Sequence, residues 1–277
     1  MVDVDRQRPD VTKIRSFVAL GDSFTEGLHD DLGADGRHVG WADRVAAALA
    51  GTGEAFRYAN LAVRGRLLDG VVAEQVPVAV DLAPDLASLH AGPNDVLRPS
   101  VELDSLLRRY DEAVARVRDS VSTLVLFTVV GRNGGRGRTF DRIAERFAIF
   151  NDGVRGAGER HDCVVVDVGG ESVMGDPRLW HEDRLHLNPD GHRRVAAAVL
   201  EALGGGHDES GWWRTPLPDP TPASTSQRIA ADVQWAGRHL LPWIGRRLRG
   251  VSSGDAITPK RPTLADLDPP SSRGDAG

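Results

Sequence analysis

Five short apolar runs, each followed by a longer stretch of helical periodicity, constrain this chain more than any other feature. The runs are Phe17 to Leu20, Phe56 to Ala59, Asp85 to His90, Leu124 to Val130 and Cys163 to Val168. Helical patterns at Trp41 to Ala50, Arg66 to Val76, Val101 to Ser120 and Phe140 to Glu159 separate them, and Asn188 to Leu203 closes the series. In the long third pattern, Leu103, Leu106, Leu107, Tyr110, Val114 and Val117 share one face, as a helix packed on a sheet requires. Pro77 is read as the stop of the second pattern, and Gly51 lies just past the end of the first. Strands that alternate with helices of this length pair in parallel, because each return needs a crossover that lies over the sheet. The expected fold class is α/β: a flavodoxin-like, doubly wound, five-stranded parallel sheet with helices on both faces.

Ligands of such a sheet bind beyond the carboxyl ends of its strands. The loops at that edge carry a consistent chemistry. The first run stops at Gly21-Asp22-Ser23, where a serine hydroxyl can project from the sheet edge. The second strand leads to Asn60-Leu61-Ala62-Val63-Arg64-Gly65 and the third to Gly92-Pro93-Asn94-Asp95. The fifth leads through a loop to Asp183-Arg184-Leu185-His186. Acyl transfer needs a nucleophile, a base, a group that orients the base, and donors for the oxyanion. Ser23 supplies the hydroxyl, and His186 the imidazole with Asp183 one turn before it. Gly65 can offer a backbone N–H and Asn94 a side-chain N–H. Each short motif alone arises readily by chance; their joint placement on one edge of one sheet carries the reading.

These blocks, in this order, resemble those of the SGNH/GDSL hydrolases over roughly Ser16 to Leu203. The resemblance implies Ser23 as nucleophile and His186 as base with Asp183 as its orienter. It implies an oxyanion hole from Ser23, Gly65 and Asn94, no metal and no cofactor. Its substrates are esters, including lipid esters, acetylated sugars and thioesters, so the expected activity is that of an esterase or lipase. Phe24 stands where leucine is common in the family, which bears only on packing behind the serine. Phe24, Arg64 and Trp180 are expected to line the substrate pocket, although a loop tryptophan equally suits plain packing.

Arg64, Arg66, Arg98, Arg132, Arg136 and Arg138 occupy the same loops. They suit either a positive rim for an anionic substrate or ordinary solvated charge, since Glu26, Asp30, Asp31 and Asp35 share the edge. His29, His38, His90, His161, His192, His207 and His239 are scattered without metal spacing, and none receives a ligand role. The one cysteine, Cys163, sits in an apolar run as a small buried hydrophobe.

Beyond the alternating series the character of the chain changes. Residues 1–15 read as a polar arm, 16–204 as the hydrolase domain, 205–226 as a Gly/Pro-rich linker, 227–250 as a basic amphipathic helical segment and 251–277 as an unstructured tail. Residues 227–249 combine arginines with Trp235 and Trp243. They suit docking on the domain, peripheral contact with an anionic membrane, or a partner. The net charge of −6 lacks the basic footprint of a nucleic-acid binder. No apolar run approaches the ~20 residues of a membrane span, and no signal peptide is visible, so the expected location is cytoplasmic. A non-catalytic binding domain on the same fold is the rival reading. A nucleotide binder is disfavoured, because Asp22 stands where a phosphate would sit.

Overall fold

A computed structural model of the chain describes residues 9–51, 55–135, 137–205, 211–219, 225–240, 242, 254 and 256–267. β1 (Ser16–Gly21) lies inside a six-stranded sheet with β3 (Leu86–His90) on one side and β2 (Arg57–Asn60) on the other. β4 (Thr123–Phe127) and β5 (Val164–Val166) extend it past β3, giving the order β5-β4-β3-β1-β2-β6. All pairings from β2 across to β5 are parallel. This is the doubly wound arrangement expected from the alternation of strands and helices.

Successive residues of each strand supply opposite faces. Phe17, Ala19, Val125 and Phe127 join the core under α2 (Gly40–Ala50) and α8 (Pro189–Ala202). Val18, Leu20, Leu124 and Leu126 join the core under α3 (Leu68–Glu74), α4 (Val76–Leu82), α6 (Leu103–Arg118) and α7 (Arg138–Arg160). Each large side chain buried in these layers contributes about 1.5–3 kcal/mol relative to exposure.

Three expectations are corrected. The sheet has a sixth strand, β6 (Arg261–Asp266), which runs antiparallel to β2 and lies in the tail expected to be unstructured. Its order comes from a long-range anchor: Lys260, largely buried, pairs with Asp43 at 3.0 Å and donates to the carbonyl of His38 at 2.9 Å. Burial pushes the Lys260 ammonium down and the Asp43 carboxyl up from their ordinary values. Pro77 opens α4 instead of closing the helix before it, since the first turn of a helix has no use for the missing N–H. Residues 211–219, expected as linker, pack along α8. Trp213 is buried there, its indole donating to Glu201 at 2.8 Å, and Arg194 donates to its carbonyl at 2.6 Å.

The expected C-terminal helix is present as α9 (Thr225–Trp235), continued by a wider π-helical turn at Ala236–Leu240. Residues 1–8 of the arm, and 241 and 243–250 of the segment, lie outside the described residues. No helix among the described residues is long and apolar enough to cross a membrane.

Candidate active site

The end of β1 is built for a sharp exit. Gly21 has φ 152°, and a Cβ there would meet the His90 carbonyl oxygen at 2.5 Å. Gln75 clamps the same residue from α3's end, accepting its N–H at 2.8 Å and donating to its carbonyl at 2.9 Å. Asp22 then caps a single helical turn, α1 (Ser23–Glu26), by accepting the Phe24 N–H at 3.1 Å. The turn is tied to β2 by Asn60, whose amide donates to the Thr25 carbonyl at 2.9 Å. Ser23 therefore starts a helix, and its own N–H has no intrahelical acceptor.

Asp183 organises the opposite wall. Its Oδ1 accepts the backbone N–H groups of Leu185 at 2.9 Å and His186 at 3.1 Å, an Asx turn that fixes the Asp-x-x-His spacing. Arg184 within it adopts a left-handed φ of 61°. The imidazole of His186 bridges the two walls, with Nδ1 2.7 Å from Asp183 Oδ2 and Nε2 3.0 Å from Ser23 Oγ. With Nδ1 protonated and donating to the Asp183 carboxylate, Nε2 is free to accept from the serine hydroxyl. The chain of hydroxyl, imidazole and carboxylate can thus pass a proton away from Ser23 as it attacks an electrophile.

Burial alone would raise the Asp183 carboxyl. Hydrogen bonds from His186, His29 and the Leu185 N–H outweigh it and hold the group well below the usual carboxylate range. His29 is the unexpected donor, 3.2 Å from Asp183 Oδ2. It stacks face to face on His181 at 3.6 Å, and burial beside His29 pushes the His181 imidazole down. Of the histidines read as scattered in the sequence, His29 therefore joins the site. His29, Asp183 and His186 are also the one group of potential metal ligands that meet among the described residues. Their facing atoms are already joined by hydrogen bonds. His29 arrives from a long loop folded around buried Asp30, which accepts the Gly40 N–H at 2.8 Å and a two-pronged contact from Arg44.

The other expected residues divide. Asn94 lies beside Ser23 at the start of α5 (Pro93–Val96), its amide donating to Asp22 Oδ2 and to the Arg66 carbonyl, each at 3.0 Å. Asp22 is thus an orienting residue for Asn94 that the sequence did not single out. Gly65 sits in the loop after β2 with a left-handed φ of 74°. Phe24 and Trp180 line a cavity of about 450 Å³ that opens onto Ser23 and His186. Arg64 does not line it. Its guanidinium and backbone N–H both engage the buried Glu26 carboxylate, which fixes the loop that carries Gly65. The far wall belongs to the first turns of α7, where Phe140, Ile143, Ala144 and Phe147 present an apolar face to the cavity. α9 leans on the Asp183 loop: the Trp235 indole donates to the Asp183 carbonyl at 2.9 Å, and Asp232 pairs with Arg184 at 2.7 Å.

Residues 19–194 match the family model described as GDSL-like Lipase/Acylhydrolase. The chain belongs to that family. No curated protein matches the sequence of this GDSL hydrolase. Among solved structures it is similar to LAE5, an alpha/beta hydrolase enzyme from the metagenome of Lake Arreo, Spain. The two are 25% identical, with a TM-score of 0.58 over 69% of this chain and 95% of that one. It shares its fold with TesA at 19% identity, a TM-score of 0.57, and 69% and 98% coverage. It also shares it with a catalytic mutant of the acetylxylan esterase Axe2 from Geobacillus stearothermophilus at 19% identity, 0.57, and 69% and 94%. The part of this GDSL hydrolase beyond its family core includes the Trp213 turn, α9 and β6.

Proposed function

We propose that the protein is a serine hydrolase that cleaves carboxylic esters through an acyl-enzyme on Ser23. The observation that carries this reading is the unbroken contact from Ser23 Oγ through His186 to Asp183 at the mouth of an apolar cavity. Ser23 Oγ attacks the ester carbonyl while His186 Nε2 takes its proton. The carbonyl oxygen gains the negative charge, which the N–H groups of Ser23 and Gly65 would receive, joined by the Asn94 amide as it exchanges its bond to the Arg66 carbonyl for the oxyanion. Collapse expels the alcohol, to which His186 returns the proton. The same imidazole then deprotonates water, whose attack releases the acid and restores Ser23.

The cavity wall favours a fatty-acyl ester over an acetylated sugar. Phe140, Ile143 and Phe147 offer apolar contact to an alkyl chain and no hydrogen bonds to hydroxyl groups. A thioester would use the same machinery, with a thiol leaving. Membership in a hydrolase family and a complete set of acid–base groups favour catalysis over a purely binding role. Labelling by a fluorophosphonate probe, mapped by mass spectrometry, tests the reading. Modification at Ser23 that is lost in Ser23→Ala is expected, and a folded protein never labelled at Ser23 would overturn it. A series of p-nitrophenyl esters of graded acyl length then separates long-chain from acetyl specificity.

A further inference from the structure

Arg132 is a half-buried cation with no anion beside it among the described residues. It follows β4 in the loop before α7 and lines the same cavity as Ser23, Asn94 and His186. Its Nε is buried without a hydrogen-bond partner, and among the described residues the guanidinium makes no ion pair. Three arginines of this edge are neutralised, Arg64 by Glu26, Arg66 by Glu74 at 2.9 Å and Arg184 by Asp232 at 2.7 Å, whereas Arg132 is, among the described residues, the unpaired one that lines the cavity. Burial and the neighbouring charge of Arg184 both push Arg132 below its ordinary value, and the Asp232 carboxylate opposes them only partly. That carboxylate is already committed to Arg184. A guanidinium does not deprotonate in a protein, so the cation stays and lacks an anion. Its planar fork of donors matches a carboxylate or phosphate.

We infer that Arg132 is a specificity residue: it binds an anionic group on an ester whose alkyl chain lies against Phe140, Ile143 and Phe147. The inference rests on the ester-hydrolase reading for the identity of the substrate, but the binding event needs no chemistry. The apolar slot holds the chain while a charge-assisted hydrogen bond forms at its edge with the half-buried guanidinium. Neutral esters of the same length would fill the slot and leave the cation unserved. The preferred substrate is therefore amphiphilic and anionic.

The test is calorimetric titration of the full chain with octyl phosphate, octanol and inorganic phosphate, each below any micelle concentration. Octyl phosphate is expected to bind about tenfold to a hundredfold tighter than octanol, the range for a hydrogen bond to a charged group. Inorganic phosphate, without the chain, is expected to bind more weakly than octyl phosphate. Arg132→Gln should remove the preference for octyl phosphate over octanol, and Arg132→Lys, which keeps the charge without the fork, should retain part of it. Equal affinity for octyl phosphate and octanol in the wild-type chain would overturn the inference. So would an undiminished preference in Arg132→Gln. Ser23 labelling reads the hydrolase proposal separately, so failure of one is distinguishable from failure of the other.

Discussion

His29 Nε2 lies 3.2 Å from the Asp183 oxygen that also holds His186, so one carboxylate oxygen serves two imidazoles. Two imidazoles and two backbone N–H groups hold the Asp183 carboxylate in place. They also explain why the carboxyl is held so far below its usual range. On the proposed mechanism His29 is a positioning residue that acts through Asp183. His29→Phe keeps a ring to stack on His181 and removes the donor. It is expected to lower kcat for a p-nitrophenyl ester roughly tenfold and leave KM unchanged, since His29 does not line the cavity. Steady-state kinetics check this; a rise in KM with kcat preserved would contradict it.

Asp183 itself titrates below the range in which the enzyme would be assayed, because its hydrogen bonds favour the charged form. Its folded-state value lies below its unfolded one, so its contribution to stability is present above the ordinary carboxylate range and is lost as pH falls through the folded value. Across neutral pH it stays ionised. Activity across neutral pH should therefore show no limb that belongs to this carboxylate. Asp183→Asn should lower kcat by about 10³–10⁴, the scale for losing the orienter of a catalytic base. A pH–rate profile of the wild type and steady-state kinetics of the variant are the checks.

The placement of Asn94 leads to a linked pair of effects. Its amide nitrogen is aimed by Asp22 Oδ2 and the Arg66 carbonyl. Asn94→Ala should lower kcat by about 10²–10³, as when one oxyanion donor is removed. Asp22→Ala should reproduce much of that loss by releasing the amide, and the double variant should fall short of the product of the two single losses. Kinetics of the three variants on one ester measure the coupling.

The sequence made the local parts of this site legible and left the long-range parts hidden. The Asp-x-x-His turn is self-contained, since Asp183 makes its own Asx turn with Leu185 and His186. The apolar runs show the strands because both faces of a parallel sheet are covered. His29 could not be placed, because its approach to Asp183 depends on how Asp30 gathers Gly40 and Arg44. Arg64 is expected in the pocket as one of the arginines of the strand-end loops, whereas a buried carboxylate in α1 takes it. β6 was missed for a similar reason: Arg261-Pro262-Thr263-Leu264-Ala265-Asp266 has little strand pattern of its own. The exposed edge of β2 and the Lys260–Asp43 pair impose its form.

Glu26 and Arg64 form a largely buried pair, with the carboxylate also accepting the Arg64 N–H at 2.7 Å. Removing one partner strands the other. Glu26→Ala is expected to cost about 3 kcal/mol, at the low end for breaking a buried pair because Arg64 keeps some contact with water. Activity should fall as well, because the pair fixes the loop bearing Gly65. Urea denaturation measures the first effect and ester kinetics the second. Adding Arg64→Met should recover part of the stability and less of the activity.

His192 offers a pH-dependent handle on stability. It is fully buried under the long first loop, with Nε2 donating to the Leu28 carbonyl at 3.2 Å. Burial pushes its imidazole down to about 4; the negative charge of Asp30 opposes this, while Lys260 and Arg44 reinforce it. As pH falls below the ordinary histidine value of ~6.5, the unfolded chain gains a proton that the folded chain refuses. The stability is therefore complete above that value and declines until the folded group titrates near 4. A separation of this size corresponds to a loss of about 3 kcal/mol. Urea midpoints measured from neutral pH to mildly acidic pH should show the decline in the wild type and a shallower one in His192→Gln, which keeps a donor at the Nε2 position for Leu28 but does not titrate. Parallel curves for the two proteins would assign the acid sensitivity to other groups.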